Sequence, residues 1–367
     1  MLPNIPSYLH SGNRHSAASF HTALSEAIMH PNSAHYVRSE IQEDLAMPAA
    51  KVAVFSPPGE RADFMLGEAP DDVEIVLVDP SLSDDEQAAL CRDVSAMITS
   101  KVSVDVLKQC PNVKIIQTLS AGYDMLDLAT ILEMGILVAN NGGANAIAVS
   151  EHTIAMMISL TTNLWHQYDQ TMSQKVWRSG MDKYRVREIT DKTIGIVGLG
   201  RIGKQVAKRL KGFDTKTIFY DVIDVPQEVQ DDLNVQRVEL DDLLRESDIV
   251  TLHVPLTRRT RGMISDRELE MMKPDAYLVN CCRGPVVDEA ALHRALSQRK
   301  ILGAGLDVLE VEPTPVDNPL FGLDNVVITP HMAGPGEESS QRAADFAYYN
   351  IAKLLSGEEA ESLVTPE

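Results

Sequence analysis

The stretch TIGIVGLGRIGKQVAKRL, residues 193–210, constrains the fold more than any other part of the chain. An apolar run, a G-x-G-x-x-G turn at Gly198, Gly200 and Gly203, and an amphipathic continuation read as strand, tight turn and helix. The first glycine allows the bend, the second lets a pyrophosphate approach the backbone, and the third lets helix and strand pack closely. Free N–H groups and the dipole at the helix start would then hold the phosphates. TIFYD supplies a second strand ending in Asp221, about 20 residues past the glycines, where a carboxylate can accept hydrogen bonds from a ribose. Val222 and Ile223 follow it, and no arginine stands ready for a 2′-phosphate, so NAD is expected rather than NADP. A glycine turn in a non-binding domain is the plainer reading, and the strand–turn–helix context disfavours it.

The rest of the chain keeps this rhythm. AAKVAVF, VEIVLVD, AMITS, VKIIQTLSAG and ILVAN read as strands, with helical segments such as DDEQAALCRDV between them. After the glycine turn come TKTIFYD, SDIVTLHVP, AYLVNCC, ILGAGLD and NVVITPH. Strands alternating with helices imply an α/β chain with parallel sheets, and 367 residues allow about two domains. A long helix is expected from near Ala148 through SEHTIAMMISLTTNLW. It is apolar around most of its circumference, so it should be buried between domains or subunits. A last helix is expected over 337–355.

Bulk properties narrow the function. A net charge of −20 argues against nucleic-acid and anionic-membrane partners, both of which need a basic patch. Any anionic ligand then needs a local cationic exception. The four cysteines, Cys91, Cys110, Cys281 and Cys282, form no C-x-x-C pair and read as reduced, buried residues of a cytoplasmic protein. No targeting segment or membrane-spanning run is expected. Residues 1–50 read as an arm holding His10, His15, His21, His30 and His35, whose spacing suits no helical metal pair, and SAASFHTALSEAIM could form a short amphipathic helix. No metal is expected.

Three polar residues follow strand-like runs, where open α/β sheets bind ligands. Arg283 ends LVNCC, His331 ends NVVITP, and Glu312 lies just past AGLD. Singly each is weak: the histidine could be structural, the glutamate solvated, the arginine paired with nearby Asp288 or Glu289. Together they suit reduction of a keto acid. An arginine fork grips a carboxylate and polarises a carbonyl. A histidine moves the proton near neutral pH, and a carboxylate bonded to it orients the ring and favours its charged form.

With GIVGLGRIG, NCCRGPVVDEAAL, GAGLDVLEVEP and ITPHMAG in hand, the chain resembles the D-isomer-specific 2-hydroxyacid dehydrogenases over about residues 51–355. The resemblance implies two Rossmann-like domains with parallel sheets. One is a flavodoxin-like substrate domain over 51–147 and 333–367, and the other an NAD-binding Rossmann domain over 148–332. It implies that Arg283, Glu312 and His331 are catalytic. It implies that Ser120, Ala121 and Gly122, with Arg283 and His331, bind the substrate. For the cofactor it implies Gly198, Gly200, Arg201, Ile202, Gly203, Asp221, His253, Val254, Pro255, Thr260, Cys281, Cys282, Arg283, Asp307, His331 and Gly334, with Ala148 and Val149 beside the nicotinamide. Hinges are expected near 145–150 and 331–336, and a homodimer through the helix from Ala148 and the segment WHQYDQTMSQKVWRSG.

Glu312 stands where formate dehydrogenases of this fold have glutamine, and Ala121 where phosphite dehydrogenase has lysine, which disfavours both activities. The substrate side chain is expected to meet Phe55–Glu60 and Lys101–Val104, with Lys101 a candidate for a second anionic group. The competing reading is an NAD(H)-sensing, corepressor-like binding protein with little turnover.

Overall fold

Two parallel sheets divide the apolar runs between them. In this computed structural model residues 50–178 and 185–365 are described. The arm up to residue 49, with its histidines and the helix expected within it, lies outside them.

The first sheet takes Ala50–Phe55 (β1), Val73–Val78 (β2), Ala96–Ile98 (β3), Ile115–Gln117 (β4) and Leu137–Ala139 (β5), in the order β2-β1-β3-β4-β5. The second takes Thr193–Val197 (β6), Lys216–Tyr220 (β7), Val235–Arg237 (β8), Ile249–Leu252 (β9), Tyr277–Asn280 (β10), Gly303–Leu306 (β11) and Val326–Ile328 (β12), in the order β12-β11-β10-β9-β6-β7-β8. Every pairing is parallel. The first order is the flavodoxin-like one. The second is the dinucleotide-binding order, with its switch point between β6 and β9.

Helices cover both faces, so the central strands are buried throughout and mostly apolar; all four residues of β9, of β10 and of β11 are buried, Thr251 and Asn280 among them. The last helix, Glu337–Leu355, packs its Ala344, Ala347, Tyr348 and Ile351 with Val52, Val54, Ile98 and Ile115 of the first sheet. The chain thus crosses from the first sheet to the second near 140–146 and returns near 331–337.

The helix expected from Ala148 begins at Ala146 and ends at Thr162. Asn163 stops it in the left-handed conformation, its side-chain amide donating to the Arg185 carbonyl at 2.7 Å, and Leu164–Tyr168 forms a separate short helix. The longer helix is buried within the second lobe, against the helix Arg201–Leu210 and strands β10 and β11, with Met156, Met157 and Leu160 in its core. No helix among the described residues is long and apolar enough to cross a membrane.

Candidate active site

The glycine turn is built as its spacing requires. Gly198 has φ +94°, and a Cβ there would lie 2.6 Å from the His253 carbonyl oxygen. At Gly203 a Cβ would lie 2.1 Å from the Gly198 carbonyl oxygen, so the helix approaches the strand only without a side chain. Nothing lies within 4 Å of the Cβ position at Gly200, which leaves that backbone open to a phosphate. The helix beyond runs from Arg201 to Leu210, and its first N–H groups face this opening.

Asp221 stands at the end of β7. Its Oδ2 accepts from the Leu199 N–H at 2.7 Å and its Oδ1 from the Ile223 N–H at 2.9 Å. A carboxylate oxygen can accept twice, so capacity remains for a ribose hydroxyl. An arginine does come near: Arg237 donates to the Asp221 carbonyl at 2.8 Å and pairs with Asp224. The local sequence after Asp221 could not reveal it, because it comes from the next strand. The Asp224 carboxylate occupies this cation and keeps the surroundings suited to a ribose.

A cavity of about 920 Å³ lies at the carboxyl ends of both sheets. Arg201, Ile202, His253, Val254, Pro255, Cys281, Cys282, Arg283, Asp307, His331 and Gly334 line it from the second sheet's loops, as do Ser120, Ala121 and Gly122 from the first. Val149 lines it as well. Gly198, Gly200, Gly203, Asp221, Ala148 and Thr260 stand outside that lining. The Thr260 hydroxyl donates to the Pro255 carbonyl at 2.6 Å and holds the 255–260 loop.

His331 and Glu312 meet. His331 Nδ1 lies 2.6 Å from Glu312 Oε2, and since a carboxylate only accepts, Nδ1 carries the proton and Nε2 faces away from the pair. Glu312 Oε1 accepts from the Leu309 N–H at 3.0 Å. His331 has φ 56°, a left-handed conformation that a histidine adopts only when its surroundings impose it. Asp307 imposes it. The Asp307 carbonyl accepts from the His331 N–H at 2.7 Å, and its carboxylate accepts from the Met332 and Ala333 N–H groups at 2.9 Å and from the Thr329 hydroxyl at 2.6 Å. The expected carboxamide neighbour is thus also the anchor of the histidine turn.

Arg283 pairs with neither Asp288 nor Glu289. Asp288 caps the helix Glu289–Ser297, and Glu289 holds the Glu310 N–H and the Asn318 side chain. Arg283 reaches across the cleft, its Nε donating to Asp124 Oδ2 at 2.7 Å. Glu60, Arg61, Phe64, Met65 and Ser100 line the end of the cavity nearest the first lobe. The segments expected there contribute only Glu60. Lys101 is exposed and Val102 is buried in the core.

The walls fit a dinucleotide. His253 Nδ1 and Asn145 Oδ1 are buried on the cavity wall without a partner among the described residues. Such orphans are rare in native proteins, and a carboxamide or ribose offers the donors and acceptors they lack. Burial pushes the His253 imidazole down to about 3, so it is neutral. The same burial pushes the Cys281 and Cys282 thiols up to about 12 and about 11, which makes them wall rather than nucleophile.

Comparison with known proteins points the same way. Residues 154–333 match the family described as D-isomer specific 2-hydroxyacid dehydrogenase, NAD binding domain. A glyoxylate reductase of Thermofilum pendens is 40% identical over 288 residues, 77% of this chain and 82% of that protein. A D-3-phosphoglycerate dehydrogenase of Methanocaldococcus jannaschii is 37% identical over 86% of this chain, which spans 59% of that relative's length. The NAD-complexed D-isomer specific 2-hydroxyacid dehydrogenase of Lactobacillus delbrueckii ssp. bulgaricus is similar in structure at a TM-score of 0.71 and 28% identity, covering 86% of this chain and 100% of that one. With the strand–turn–helix glycine motif, the orphaned wall atoms of the cavity and His331 held by Glu312, the chain belongs to the D-isomer specific 2-hydroxyacid dehydrogenase family and is an NAD-dependent oxidoreductase.

Proposed function

We propose that this cleft interconverts a small 2-keto acid and its D-2-hydroxy acid, with Arg283 binding the substrate, His331 as acid and base, and Glu312 orienting His331. The observation that carries the assignment is the convergence of these groups. Arg283 and His331 line one cavity with the 120–122 loop, and Glu312 holds the histidine from behind at 2.6 Å. Bound NADH supplies the hydride that reaches the carbonyl carbon. Arg283 offers its fork to the substrate carboxylate and polarises the carbonyl. His331 Nε2 donates the proton that the new alkoxide needs, and takes it back when the alcohol is oxidised. The glycine turn and Asp221 hold the dinucleotide, and the backbone amides of 120–122 receive the carboxylate.

A small substrate is supported by the glyoxylate and hydroxypyruvate reductases among the relatives. Residues 51–147 and 333–367 act as the substrate domain and 148–332 as the NAD domain, with hinges at the two crossings. Exposed Leu164, Tyr168, Met172 and Trp177 support a homodimer, since a large apolar patch implies a partner. Four unpaired cysteines support a cytoplasmic setting.

The test mixes the protein, NADH and a panel of 2-keto acids and follows the nicotinamide absorbance. Turnover that Arg283→Ala and His331→Ala each reduce by about 10²-fold or more is expected, since each removes a group acting on the reacting atoms. NADH binding without turnover across the panel refutes the enzyme and favours a sensor. A light-scattering mass of two chains is expected, and a mass of one refutes the dimer.

A further inference from the structure

We infer that Asp124 is the positioning residue for Arg283, aiming the guanidinium from the opposite side of the cleft. The inference rests on the reading of the cleft as a keto-acid site. Arg283 follows β10 of the second sheet, whereas Asp124 lies on the loop after β4 of the first. The Asp124 Oδ2 accepts from Arg283 Nε–H at 2.7 Å, with the side chains 32% and 25% exposed. Among the described residues one further bond holds the guanidinium, from Nη1 to the Cys282 carbonyl at 2.7 Å.

A guanidinium has five N–H donors. These contacts use one on Nε and one on Nη1, and leave the second Nη1 donor and both Nη2 donors. Nη2 points at the substrate loop: a Cβ on Gly122 would fall 1.4 Å from it. Beside it, the backbone N–H groups of Ser120, Ala121 and Gly122 have no acceptor among the described residues. Residues with unused guanidinium donors and unbonded amides thus line one cavity, the chemistry that receives a single carboxylate. Asp124 takes the Nε position and leaves those donors available. It fixes the aim of the cation without occupying its binding face.

The acids nearest in sequence cannot substitute. Asp288 is committed to the Ala291 N–H at 2.8 Å, and Glu289 to Glu310 and Asn318. Without Asp124 the guanidinium keeps only its neighbour's carbonyl, and a long, rotamer-rich side chain is left to find its pose on each turnover.

The test compares wild type, Asp124→Ala and the isosteric Asp124→Asn in steady-state reduction of glyoxylate and hydroxypyruvate. It also measures NADH Kd and the affinity of the NADH complex for oxamate, a non-reacting keto-acid mimic. For Asp124→Ala we expect kcat/KM and oxamate affinity to fall about 10- to 100-fold, the worth of one hydrogen bond between charged groups. NADH Kd should stay within twofold. Asp124→Asn keeps an acceptor for Nε–H and should lose less. In an Arg283→Ala background, where no cation remains for Asp124 to aim, Asp124→Ala should cost less than twofold; a merely structural role would cost the same in both backgrounds. Equal oxamate binding and kcat/KM in wild type and Asp124→Ala overturns the inference while leaving the site reading intact. A wild type that neither binds oxamate nor turns over any keto acid overturns the site reading and this inference with it.

Discussion

Replacing Glu312 by glutamine probes the His331 pair with the least steric change. The wild-type contact is a 2.6 Å charge-assisted hydrogen bond, and such bonds are worth about 1.5–3 kcal/mol. Both side chains are partly open to solvent, 47% for His331 and 35% for Glu312, so the lower figure applies. About 1.5 kcal/mol corresponds to roughly a tenfold loss of kcat for keto-acid reduction at neutral pH. Geometry adds a direction. The Leu309 N–H, 3.0 Å from Oε1, draws the new amide oxygen to itself, so the amide NH₂ faces His331 Nδ1. A donor there opposes the Nδ1–H, so the ring loses the contact that orients it. The assay is NADH oxidation under saturating keto acid at neutral pH, with NADH Kd measured in parallel. A kcat within twofold of wild type refutes the assignment of Glu312 as the orienting group. A parallel rise in NADH Kd refutes it as well, because the damage would then lie in the cofactor site.

Two more expectations follow from other contacts. Gly203→Ala puts a Cβ 2.1 Å from the Gly198 carbonyl oxygen, where real Cβ contacts stay beyond 3.0 Å, so turn and helix must separate; NADH Kd should rise at least about tenfold, near 1.4 kcal/mol, and calorimetric titration showing wild-type affinity contradicts the close-packing role. Burial holds His253 at about 3 in the folded protein against 6.5 for an unperturbed histidine, so the unfolded chain takes up the proton first as pH falls. Its share of stability is complete above pH 6.5 and is lost toward pH 3, at up to about 1.4 kcal/mol per pH unit. Urea melts at pH 7 and pH 5 should show a drop that His253→Gln reduces, and an equal drop in the variant refutes the buried neutral imidazole.

Much of the site could be read from local pattern, for a physical reason in each case. Gly198, Gly200 and Gly203 announce themselves because a strand, a turn and a helix start impose backbone demands within a few residues. Arg283 and His331 stand out because a polar residue that ends an apolar strand must lie at the sheet's carboxyl edge. The helix break at Asn163 was less legible, since it depends on an Arg185 carbonyl 22 residues away. Arg61 and Asn145 carry no local signature; they become site residues only because the first turn of one helix and the cap of another open onto the same cavity.

Strand rhythm, glycine spacing and the residue types at strand ends are near-neighbour properties, and the sequence alone determined them: an α/β chain, a dinucleotide turn, and an arginine, a glutamate and a histidine suited to keto-acid chemistry. Only the tertiary structure decided how these meet. Asp124 and Arg283 are 159 residues apart and touch because two sheets present their carboxyl ends to one cleft. Asp307 anchors the His331 turn from the neighbouring strand, and Arg237 meets Asp221 from the next one. Such contacts depend on sheet order and on how the two lobes are set against each other. Both are settled by burying helix faces against strands, and no short stretch of residues records that.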